Sequence, residues 1–570
     1  MTTPPDRPVV EIFDVVVVGA GAGGLTAAAT AARSGASVLV LEQAAVVGGT
    51  TAISGGMVWL PANRKTAAAG RPDTIAAAKA YLAATLPPLA SGGERARLGV
   101  FLDRADAALA WLEANTELRF KPVMTYPDYE PNRPGATAGG RVLEPVAFDA
   151  RALGRAFALV RDPLPEFMLF GGMMVARADI PHLRRATRSP RSAVHVARLL
   201  LRHGFERLRA RRGTTLHLGN ALVARLLKSV LDAGVTLRTG TAVDAIERDG
   251  EGRVRFVDTP TGRIEARRGV ILATGGISHD RELRRRHVPP AAGDLTATVD
   301  HGGAACGARL AVAVAARFSE PGEAGAFWVP ASTFTRADGG AGVFPHTVTD
   351  RAKPGLVAVG RDGRRFVNEA ISYHAFVRAQ LAAAERALPA FLVCDADFLW
   401  RYGLGRVRPF MRGVESHVAS GYLKRADTIA GLARAIGVPE DAFAETIETF
   451  DRDAVRGEDP AFGRGGDVYQ RALGDADHGP NPCVAPIVTP PFYAVEVRPA
   501  DLGMAAGLLT DTEARVLGAD GRPIPGLWAC GNDMASIMEG AYPGPGITLG
   551  PALVFGWTAG RRAASAEGRA

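Results

Sequence analysis

The sequence of 570 residues predicts an α/β fold built on a parallel β-sheet. Three observations predict this fold. A short run of β-branched residues near the N-terminus is followed by closely spaced glycines and an alanine-rich segment. Two further apolar runs, one in the middle of the chain and one near its C-terminus, also end in glycines. Hydrophobic residues make up 47% of the chain, which is enough to bury both faces of such a sheet.

The first element is the segment 13–43, FDVVVVGAGAGGLTAAATAARSGASVLVLEQ, which predicts a strand, a glycine turn, a helix and a second strand. Gly19 suits the tight turn, Gly21 leaves room for a pyrophosphate, and Gly24 allows the helix to pack on the strand. Gly23 lies in the same turn. Glu42, at the end of the second strand, can accept hydrogen bonds from ribose hydroxyls. This order of elements predicts a Rossmann-like site for a dinucleotide.

The segments that follow favour FAD as the dinucleotide. The loop 44–61, AAVVGGTTAISGGMVWLP, can wrap a long cofactor with backbone amides and hydroxyls. The strands predicted in 269–278 and 523–536 also end in glycines, and three such strands suit FAD. No metal site is expected. Besides the residues of the first element, the predicted FAD contacts are Gly49, Thr50, Thr51, Ser54, Gly55, Gly56, Val243, Ala273, Thr274, Gly275, Gly531, Asn532, Thr548 and Leu549.

This order of segments resembles the flavoproteins related to fumarate reductase and succinate dehydrogenase, which include the 3-ketosteroid 1-dehydrogenases. The resemblance covers most of the chain, and the segments 14–61, 269–278 and 523–560 carry it most specifically. It implies a discontinuous FAD-binding domain formed by residues 1–285 and 488–570. Residues 286–487 would form an inserted α+β domain on the substrate side.

The segment 539–555, EGAYPGPGITLGPALVF, places a tyrosine beside two prolines and a glycine. The prolines stiffen the loop, and Gly546 lets a carbonyl group approach its amide. Tyr542 and Gly546 together could donate two hydrogen bonds to an enolate oxygen. The alternative is a structural turn before a helix that starts near Pro551. The loop resembles that of the 3-ketosteroid 1-dehydrogenases, which implies that Tyr542 and Gly546 bind the substrate's carbonyl oxygen.

The same resemblance implies that Tyr373, in GRDGRRFVNEAISYHAF (360–376), is the general base. A free tyrosine has a pKa of about 10, so the phenolate needs a neighbour that stabilises it. The family uses a second tyrosine for this purpose, which implies Tyr129, with Tyr126 as the second choice. His374 and His279 are the histidines closest to these segments. Where the family commonly has Pro-Tyr-Asp, this chain has Ser-Tyr-His.

The predicted reaction introduces a C1–C2 double bond next to the 3-keto group of a 3-ketosteroid, by proton abstraction and hydride transfer to flavin N5. The predicted substrate is a small apolar ketone, and the electron acceptor is unidentified, with a quinone as one candidate. The segment DLGMAAGLL (501–509) departs from the glycine-rich family sequence. It therefore leaves open a dehydrogenase or enone reductase for another cyclic ketone or for the steroid 4,5 bond.

Two other functions are disfavoured. A fumarate or succinate oxidoreductase must bind two carboxylates, and the loop GAYPGPGITLG (540–550) contains neither arginine nor histidine. A flavin-binding protein without turnover would not need the tyrosine and glycine donors. The sequence therefore predicts an enzyme that acts on CH–CH groups.

The net charge of +8 is concentrated in the arginine-rich segment 183–213. This segment is either a solvated helix face or a surface for anionic lipid. Nucleic acid is not expected as a partner, because no nucleic-acid motif accompanies the charge. The N-terminal residues lack an apolar leader, and the four cysteines are scattered. We expect a cytoplasmic protein that could lie peripherally on the inner face of the membrane.

Overall fold

The computed structural model describes residues 9–88, 95–300, 306–322, 325–336, 338–348 and 350–567. Its strands are β1 (Val9–Val18), β2 (Val38–Glu42), β3 (Val58–Trp59), β4 (Phe120–Pro122), β5 (Val142–Pro145), β6 (Phe148–Asp149), β7 (Thr215–Leu216), β8 (Thr236–Thr239), β9 (Ala245–Arg248), β10 (Val254–Thr259), β11 (Gly262–Leu272), β12 (Ala326–Thr335), β13 (Ala341–Pro345), β14 (Leu356–Val359), β15 (Ala390–Cys394), β16 (Lys424–Ala426), β17 (Phe492–Met504), β18 (Arg515–Leu517) and β19 (Pro523–Ala529).

The helices alternate with these strands. They are α1 (Ala22–Arg33), α2 (Gly49–Ile53), α3 (Arg64–Ala68), α4 (Ile75–Thr85), α5 (Ala96–Asn115), α6 (Ile180–Arg184), α7 (Pro190–Arg207), α8 (Leu218–Asp232), α9 (Arg281–Arg285), α10 (Gly307–Ala313), α11 (Tyr373–Ala382), α12 (Ala396–Tyr402), α13 (Glu415–Ala419), α14 (Ile429–Ile436), α15 (Glu440–Ala454), α16 (Val468–Leu473) and α17 (Leu549–Ser565). Short 3₁₀ helices lie at Ala150–Leu159, Pro165–Phe167, Arg177–Asp179, Pro290–Ala292, Ala384–Ala387 and Gly531–Asp533.

The larger sheet confirms the predicted α/β fold. Its centre is parallel: β1 pairs with β2 and β11, β2 pairs with β8, and β11 pairs with β19. The strands β9, β10 and β18 add antiparallel pairs. The C-terminal end of β1 is buried, with Val15, Val16 and Val17 fully enclosed, and α1 packs against both α17 and α8. Helices therefore cover the sheet, as its continuous run of valines requires.

A second sheet is antiparallel and has the order β13-β12-β17-β15-β14, with β16 also paired to β17. Its long strand β17 lies within the chain segment 488–570 that the sequence assigned to the FAD-binding domain. The pairing of β17 thus joins that segment to the inserted segment 286–487. The division of the chain into these two domains stays a prediction.

The C-terminal helix α17 begins at Leu549, two residues before the start that the sequence predicted. It follows directly on the YPGPG loop, so the loop and the helix form one continuous feature. None of the helices in the described residues is long and apolar enough to cross a lipid bilayer.

A buried ion network stabilises the segment that precedes β5. The Arg141 guanidinium bonds to Asp73 and to Asp128, both at 2.8 Å, and its side chain is only 1% exposed. Asp128 also accepts a hydrogen bond from Trp59 Nε1 at 3.0 Å. The network therefore connects the segment around residue 128 with β3 and with the N-terminus of α4.

We expect Arg141→Met to destabilise the protein by about 3–5 kcal/mol, because it leaves two buried carboxylates without their cation. Urea unfolding followed by circular dichroism measures the effect as a lower midpoint. Arg151→Met is the matched control, because Arg151 pairs with Asp149 at an exposed site. Equal midpoints for the two variants would contradict the structural role of Arg141.

Candidate active site

Two glycines of the first turn are required by close backbone contacts. Gly19 has a φ of +104°, and a Cβ there would lie 2.3 Å from the carbonyl oxygen of Ala273. A Cβ on Gly24 would lie 2.0 Å from the carbonyl oxygen of Gly19. The turn between β1 and α1 is therefore packed against the end of β11, and a larger residue at either position would displace it.

Three other glycines predicted to contact FAD face open space. A Cβ on Gly21, Gly55 or Gly531 would meet no protein atom within 4 Å. Gly21 precedes α1, Gly55 follows α2, and Gly531 follows β19. Because the protein does not use this space, these positions can accommodate a bound molecule close to the backbone.

Glu42 lies at the end of β2 and is buried. Its carboxylate accepts hydrogen bonds from the N–H groups of Ala20 at 2.8 Å and Ala44 at 2.9 Å. Burial raises its pKa, and these two bonds partly offset the rise. A carboxylate has about four lone-pair sites, so Glu42 retains acceptors for the ribose hydroxyls.

In the loop 44–61, the hydroxyl groups of Thr50, Thr51 and Ser54 form hydrogen bonds with other groups of the protein. Thr51 accepts a hydrogen bond from the first N–H of α1 at 3.2 Å, and Thr50 accepts one from the N–H of Val299 at 3.1 Å. Ser54 donates to the carbonyl oxygen of Thr51 at 2.8 Å and accepts from the N–H of Gly56 at 3.0 Å. Their side chains therefore shape the loop, and its backbone remains the part suited to a cofactor.

Asp533 is an important residue that the sequence analysis missed. Its carboxylate accepts hydrogen bonds from the Thr274 hydroxyl at 2.8 Å and from the Gly276 N–H at 2.9 Å. These bonds join the ends of β11 and β19. Asp533 is buried, which raises its pKa. The sequence analysis selected its neighbours Gly531 and Asn532 instead. It could not select Asp533, because nothing in the local pattern indicates which side chain points at β11.

The remaining predicted FAD contacts lie at ends of elements. They are Gly23 in the first turn of α1, Gly49 at the start of α2, Val243 in the loop before β9, Ala273 and Gly275 directly after β11, Asn532 after β19, and Thr548 and Leu549 at the start of α17.

Arg161 is a second residue that the sequence analysis missed. Its backbone N–H bonds to the carbonyl oxygen of Val47 at 3.1 Å, next to the predicted cofactor loop. Its Nε is buried and has no hydrogen-bond partner within the described residues. Burial lowers the pKa of Arg161, and the charge of Glu42 partly offsets this effect. An arginine placed in this way fits an anionic group such as the pyrophosphate of a dinucleotide.

Three tyrosines from distant parts of the chain meet in one cluster. The Tyr129 hydroxyl donates a hydrogen bond to the Tyr373 oxygen at 3.0 Å. The ring of Tyr542 stacks on Tyr129 at a centroid distance of 5.5 Å and meets the edge of Tyr373 at 5.2 Å. The three residues predicted to act on substrate therefore lie within contact of each other.

The environment raises the pKa of the other two tyrosines of the cluster, Tyr373 and Tyr542. Burial and the neighbouring Tyr542 raise the pKa of Tyr373 well above its ordinary value, and the hydrogen bond from Tyr129 partly offsets this rise. Burial raises the pKa of Tyr542 to about 12. Tyr542 is therefore protonated at neutral pH, as a hydrogen-bond donor must be.

Gly546 has a φ of +91°, and a Cβ there would lie 2.5 Å from the carbonyl oxygen of Met57. Its own carbonyl accepts hydrogen bonds from the N–H groups of Trp59 at 3.1 Å and Gly550 at 2.9 Å. Within the described residues, its N–H makes no hydrogen bond. Gly546 is thus fixed in place through its carbonyl, and its N–H is available to a ligand.

The carbonyl of Pro543 connects the YPGPG loop to the tyrosine cluster. It accepts hydrogen bonds from the Tyr129 N–H at 2.9 Å and from the Tyr81 hydroxyl at 2.6 Å. The positions of Tyr542 and Tyr129 are therefore coupled through one backbone oxygen.

His374, the histidine next to Tyr373, is not suited to act as a base. His374 accepts a hydrogen bond from the Trp328 N–H at its Nδ1 (3.1 Å), so in the neutral ring Nε2 carries the proton. Burial lowers the pKa of His374 to about 3, which leaves it neutral with no free acceptor. His279 bonds to the Thr298 hydroxyl at 3.0 Å.

Two more tyrosines flank the cluster. The ring of Tyr126, the second choice for the supporting tyrosine, lies 6.5 Å from that of Tyr129. The ring of Tyr469 lies 5.0 Å from that of Tyr129, and its buried hydroxyl has no partner within the described residues. The sequence analysis missed Tyr469, because it stands on α16 with no motif around it.

Comparison with known proteins shows the family to which the chain belongs. Residues 14–549 match the family described as the FAD binding domain. A 4-oxocyclohex-2-ene-1-carboxylate 5-dehydrogenase of Sinomonas cyclohexanicum is 39% identical, over 96% of this chain and 93% of the relative. A 3-oxosteroid 1-dehydrogenase of Mycolicibacterium smegmatis is 33% identical, over 96% of each. The structure of a 3-ketosteroid delta1-dehydrogenase from Sterolibacterium denitrificans superposes with a TM-score of 0.88 at 35% identity, over 98% of this chain and 100% of that one.

The chain belongs to this family of FAD-dependent dehydrogenases. It is therefore an oxidoreductase that acts on CH–CH groups, as the sequence predicted, and its cofactor is FAD. The open space beside Gly21, Gly55 and Gly531 fits the cofactor, since none of it is filled by side chains. Arg161, whose buried Nε has no partner among the residues that the structure describes, fits the cofactor's negative charge.

We expect Gly21→Ala to weaken FAD binding by about 10- to 100-fold, in line with the roughly 1–3 kcal/mol that overpacking costs. Gly21 has extended backbone angles that any residue adopts, so the apoprotein should fold normally. Fluorescence titration of the apoprotein with FAD measures the affinity, and thermal melting without FAD checks the fold.

Gly24→Ala is the matched comparison, because its Cβ would collide with backbone and should lower the melting temperature of the apoprotein itself. If Gly21→Ala bound FAD with wild-type affinity, Gly21 would not lie against the cofactor.

Proposed function

We propose that this dehydrogenase removes two hydrogens from adjacent carbons of a ring ketone and so forms a double bond conjugated with the carbonyl group. The observation that carries the proposal is the hydrogen bond from Tyr129 to Tyr373 beside Tyr542. It supports an acid–base pair next to a hydrogen-bond donor, which is the arrangement that α,β-dehydrogenation requires.

Each residue has a separate task in this proposal. The Tyr542 hydroxyl and the Gly546 N–H donate to the ketone oxygen and stabilise the negative charge that develops there. Tyr373 takes the proton from the α-carbon, and Tyr129 stabilises the Tyr373 phenolate by donating to it. When bound, FAD supplies the two-electron acceptor for the hydride of the β-carbon. One proton and one hydride leave the substrate, and the carbon–carbon double bond forms between the two carbons.

The ring ketone can belong to either of two classes. For a 3-ketosteroid the reaction is the C1–C2 desaturation that the sequence predicted, and the relatives at 33% and 35% identity are named for it. The relative at 39% identity is named for a single ring that carries a ketone and a carboxylate. Both classes present the same carbonyl group to Tyr542 and Gly546, and they differ on the far side of the ring.

We expect Tyr373→Phe and Tyr542→Phe to fail in different ways. Tyr373→Phe should slow anaerobic flavin reduction by roughly 10²–10⁴, the value of a positioned base, while ligand binding remains. Tyr542→Phe should slow it by about 10²–10³ and also weaken ketone binding, because one donor to the carbonyl oxygen is lost. Stopped-flow spectroscopy measures the rate, and the ligand-induced shift of flavin absorbance measures binding.

Tyr493→Phe is the matched control, because it removes a hydroxyl on β17 outside the cluster.

Since burial holds the pKa of Tyr373 above its ordinary value, the wild-type rate should still rise with pH up to about pH 10. Tyr129→Phe should move this rise to higher pH, because the phenolate loses its donor. A wild-type rate in Tyr373→Phe would exclude it as the base.

We also propose that the segment 183–213 lies on an anionic membrane and that a quinone in that membrane reoxidises the flavin. Large apolar side chains are exposed along α7 and just after it: Leu201 (65%), Phe205 (69%) and Leu208 (79%). The arginines Arg198 and Arg202 stand among them. Exposed apolar residues with interspersed arginines suit the interface of an anionic bilayer.

We expect the double variant Leu201→Ser/Phe205→Ser to lose co-sedimentation with vesicles of anionic lipid at low salt. High salt should weaken wild-type binding, because exposed charge contacts are screened. Val455→Ser is the control, since Val455 is 71% exposed on another part of the surface. If the wild-type protein does not bind such vesicles at low salt, the membrane proposal is wrong and α7 is a helix that faces solvent.

A further inference from the structure

We infer that Arg177 binds an anionic carboxylate on the substrate, so that the preferred substrate is a ring ketone with a carboxylate on the side away from the ketone. This inference rests on the proposed function, because it places the ketone oxygen at Tyr542 and Gly546. It adds a second anchoring point that the sequence analysis did not include.

Arg177 lies beside the tyrosine cluster. Its guanidinium carbon stands 4.7 Å from the ring centroid of Tyr126, and its Nη2 stands 3.5 Å from Met57 Sδ. The ring of Tyr126 is next to that of Tyr129, and the carbonyl of Met57 lies against Gly546. Both neighbours of Arg177 are therefore also neighbours of the proposed reaction site.

Within the part of the chain that the structure describes, the positive charge of Arg177 has no acidic partner. Among the described residues, no Asp or Glu forms an ion pair with it, although other arginines nearby are paired: Arg184 with Asp475 at 2.6 Å, and Arg212 with Asp162 at 2.8 Å.

The acidic residue closest to Arg177 in sequence is already occupied. Asp179 accepts a hydrogen bond from the Ala176 N–H at 2.8 Å and lies 2.9 Å from His195 Nε2. Each of its two carboxylate oxygens therefore already has a partner other than Arg177. The arginine keeps at least four of its five N–H donors for another acceptor.

In these surroundings, an unpaired guanidinium raises the free energy of the protein unless a ligand supplies hydrogen-bond acceptors for it. Arg177 is half-buried, and the contacts of its guanidinium are an aromatic face and a thioether, which are weak partners for a cation. Its charge partly offsets the effect of burial on the pKa of Tyr126, so it acts on the cluster electrostatically. A carboxylate would give it two strong, parallel hydrogen bonds.

Two anchoring points select one class of ring ketone. In this proposal the ring of the substrate extends from Tyr542 and Gly546 along Tyr126, so that the group opposite the ketone reaches Arg177. A single ring with a ketone and a carboxylate on opposite sides presents one group to each anchor. A 3-ketosteroid presents apolar rings there and leaves the guanidinium without an acceptor.

The test compares 4-oxocyclohex-2-ene-1-carboxylate with its methyl ester, which keeps the ketone and removes the charge. We expect the wild-type holoenzyme to have a kcat/KM about 10- to 100-fold higher for the acid, the range of a charge-assisted hydrogen bond. Arg177→Met should lose this preference, so that its ratio of kcat/KM for the acid to kcat/KM for the ester falls to about 1, whatever the activity on the ester alone. Arg177→Lys should retain part of the preference, because it keeps the charge without the fork of donors.

Arg188→Met is the matched control, because Arg188 is an exposed arginine of the same segment. The ligand-induced shift of flavin absorbance gives the affinity for both compounds, and the flavin content of each variant checks that it is folded. Arg177→Met should weaken binding of the acid by a larger factor than binding of the ester.

The outcomes separate the two levels of the proposal. If the wild-type enzyme reduces its flavin with neither compound nor with 4-androstene-3,17-dione, the proposed function fails. If it reduces its flavin with all three and Arg177→Met leaves the acid-to-ester ratio unchanged, only the role of Arg177 is overturned. A wild-type preference for the steroid over the acid would overturn the carboxylate as the selected group.

Discussion

The burial of Arg141 between Asp73 and Asp128 is the interaction on which the geometry of the site depends. A buried guanidinium is tolerated only with well-placed acceptors, so this network allows few alternative positions for the segment that carries residues 126–129. Asp128 also binds the indole of Trp59, and the backbone N–H of Trp59 binds the carbonyl of Gly546. The loop with the predicted oxyanion donor and the segment with the supporting tyrosine are thereby fixed to one charged centre.

The packing around the tyrosine cluster bears on how neutral hydroxyl groups could perform acid–base chemistry. The tyrosine cluster is enclosed by other aromatic rings, which disfavours any charged form. Within that enclosure Tyr129 donates a hydrogen bond to the Tyr373 oxygen, which partly offsets the rise in the pKa of Tyr373. His374 is excluded from this role by a backbone N–H that occupies its only acceptor.

The features that depend on local backbone geometry were predictable from the sequence. Gly19 and Gly24 are required by contacts within one strand–turn–helix unit, and such a unit leaves the same pattern in any chain that contains it. The YPGPG loop was recognisable because prolines and glycines restrict the backbone directly. Asp533, Arg161 and Tyr469 were missed, because each acquires its importance from a neighbour more than 90 residues away in sequence. Arg177 was missed for the same reason, and the expectation of a neutral ligand considered only the C-terminal segments.

The sequence by itself determined the class of the protein: the α/β sheet, the dinucleotide turn and a stiffened loop that presents one tyrosine. These features follow from steric limits on a few consecutive residues. Only the tertiary structure decided that Tyr129, Tyr373 and Tyr542 share one cluster, that His374 has no free acceptor and that Arg177 has no acidic partner within the described residues. The physical reason is that hydrogen bonds and charges act over a few ångströms of space, whatever the separation along the chain.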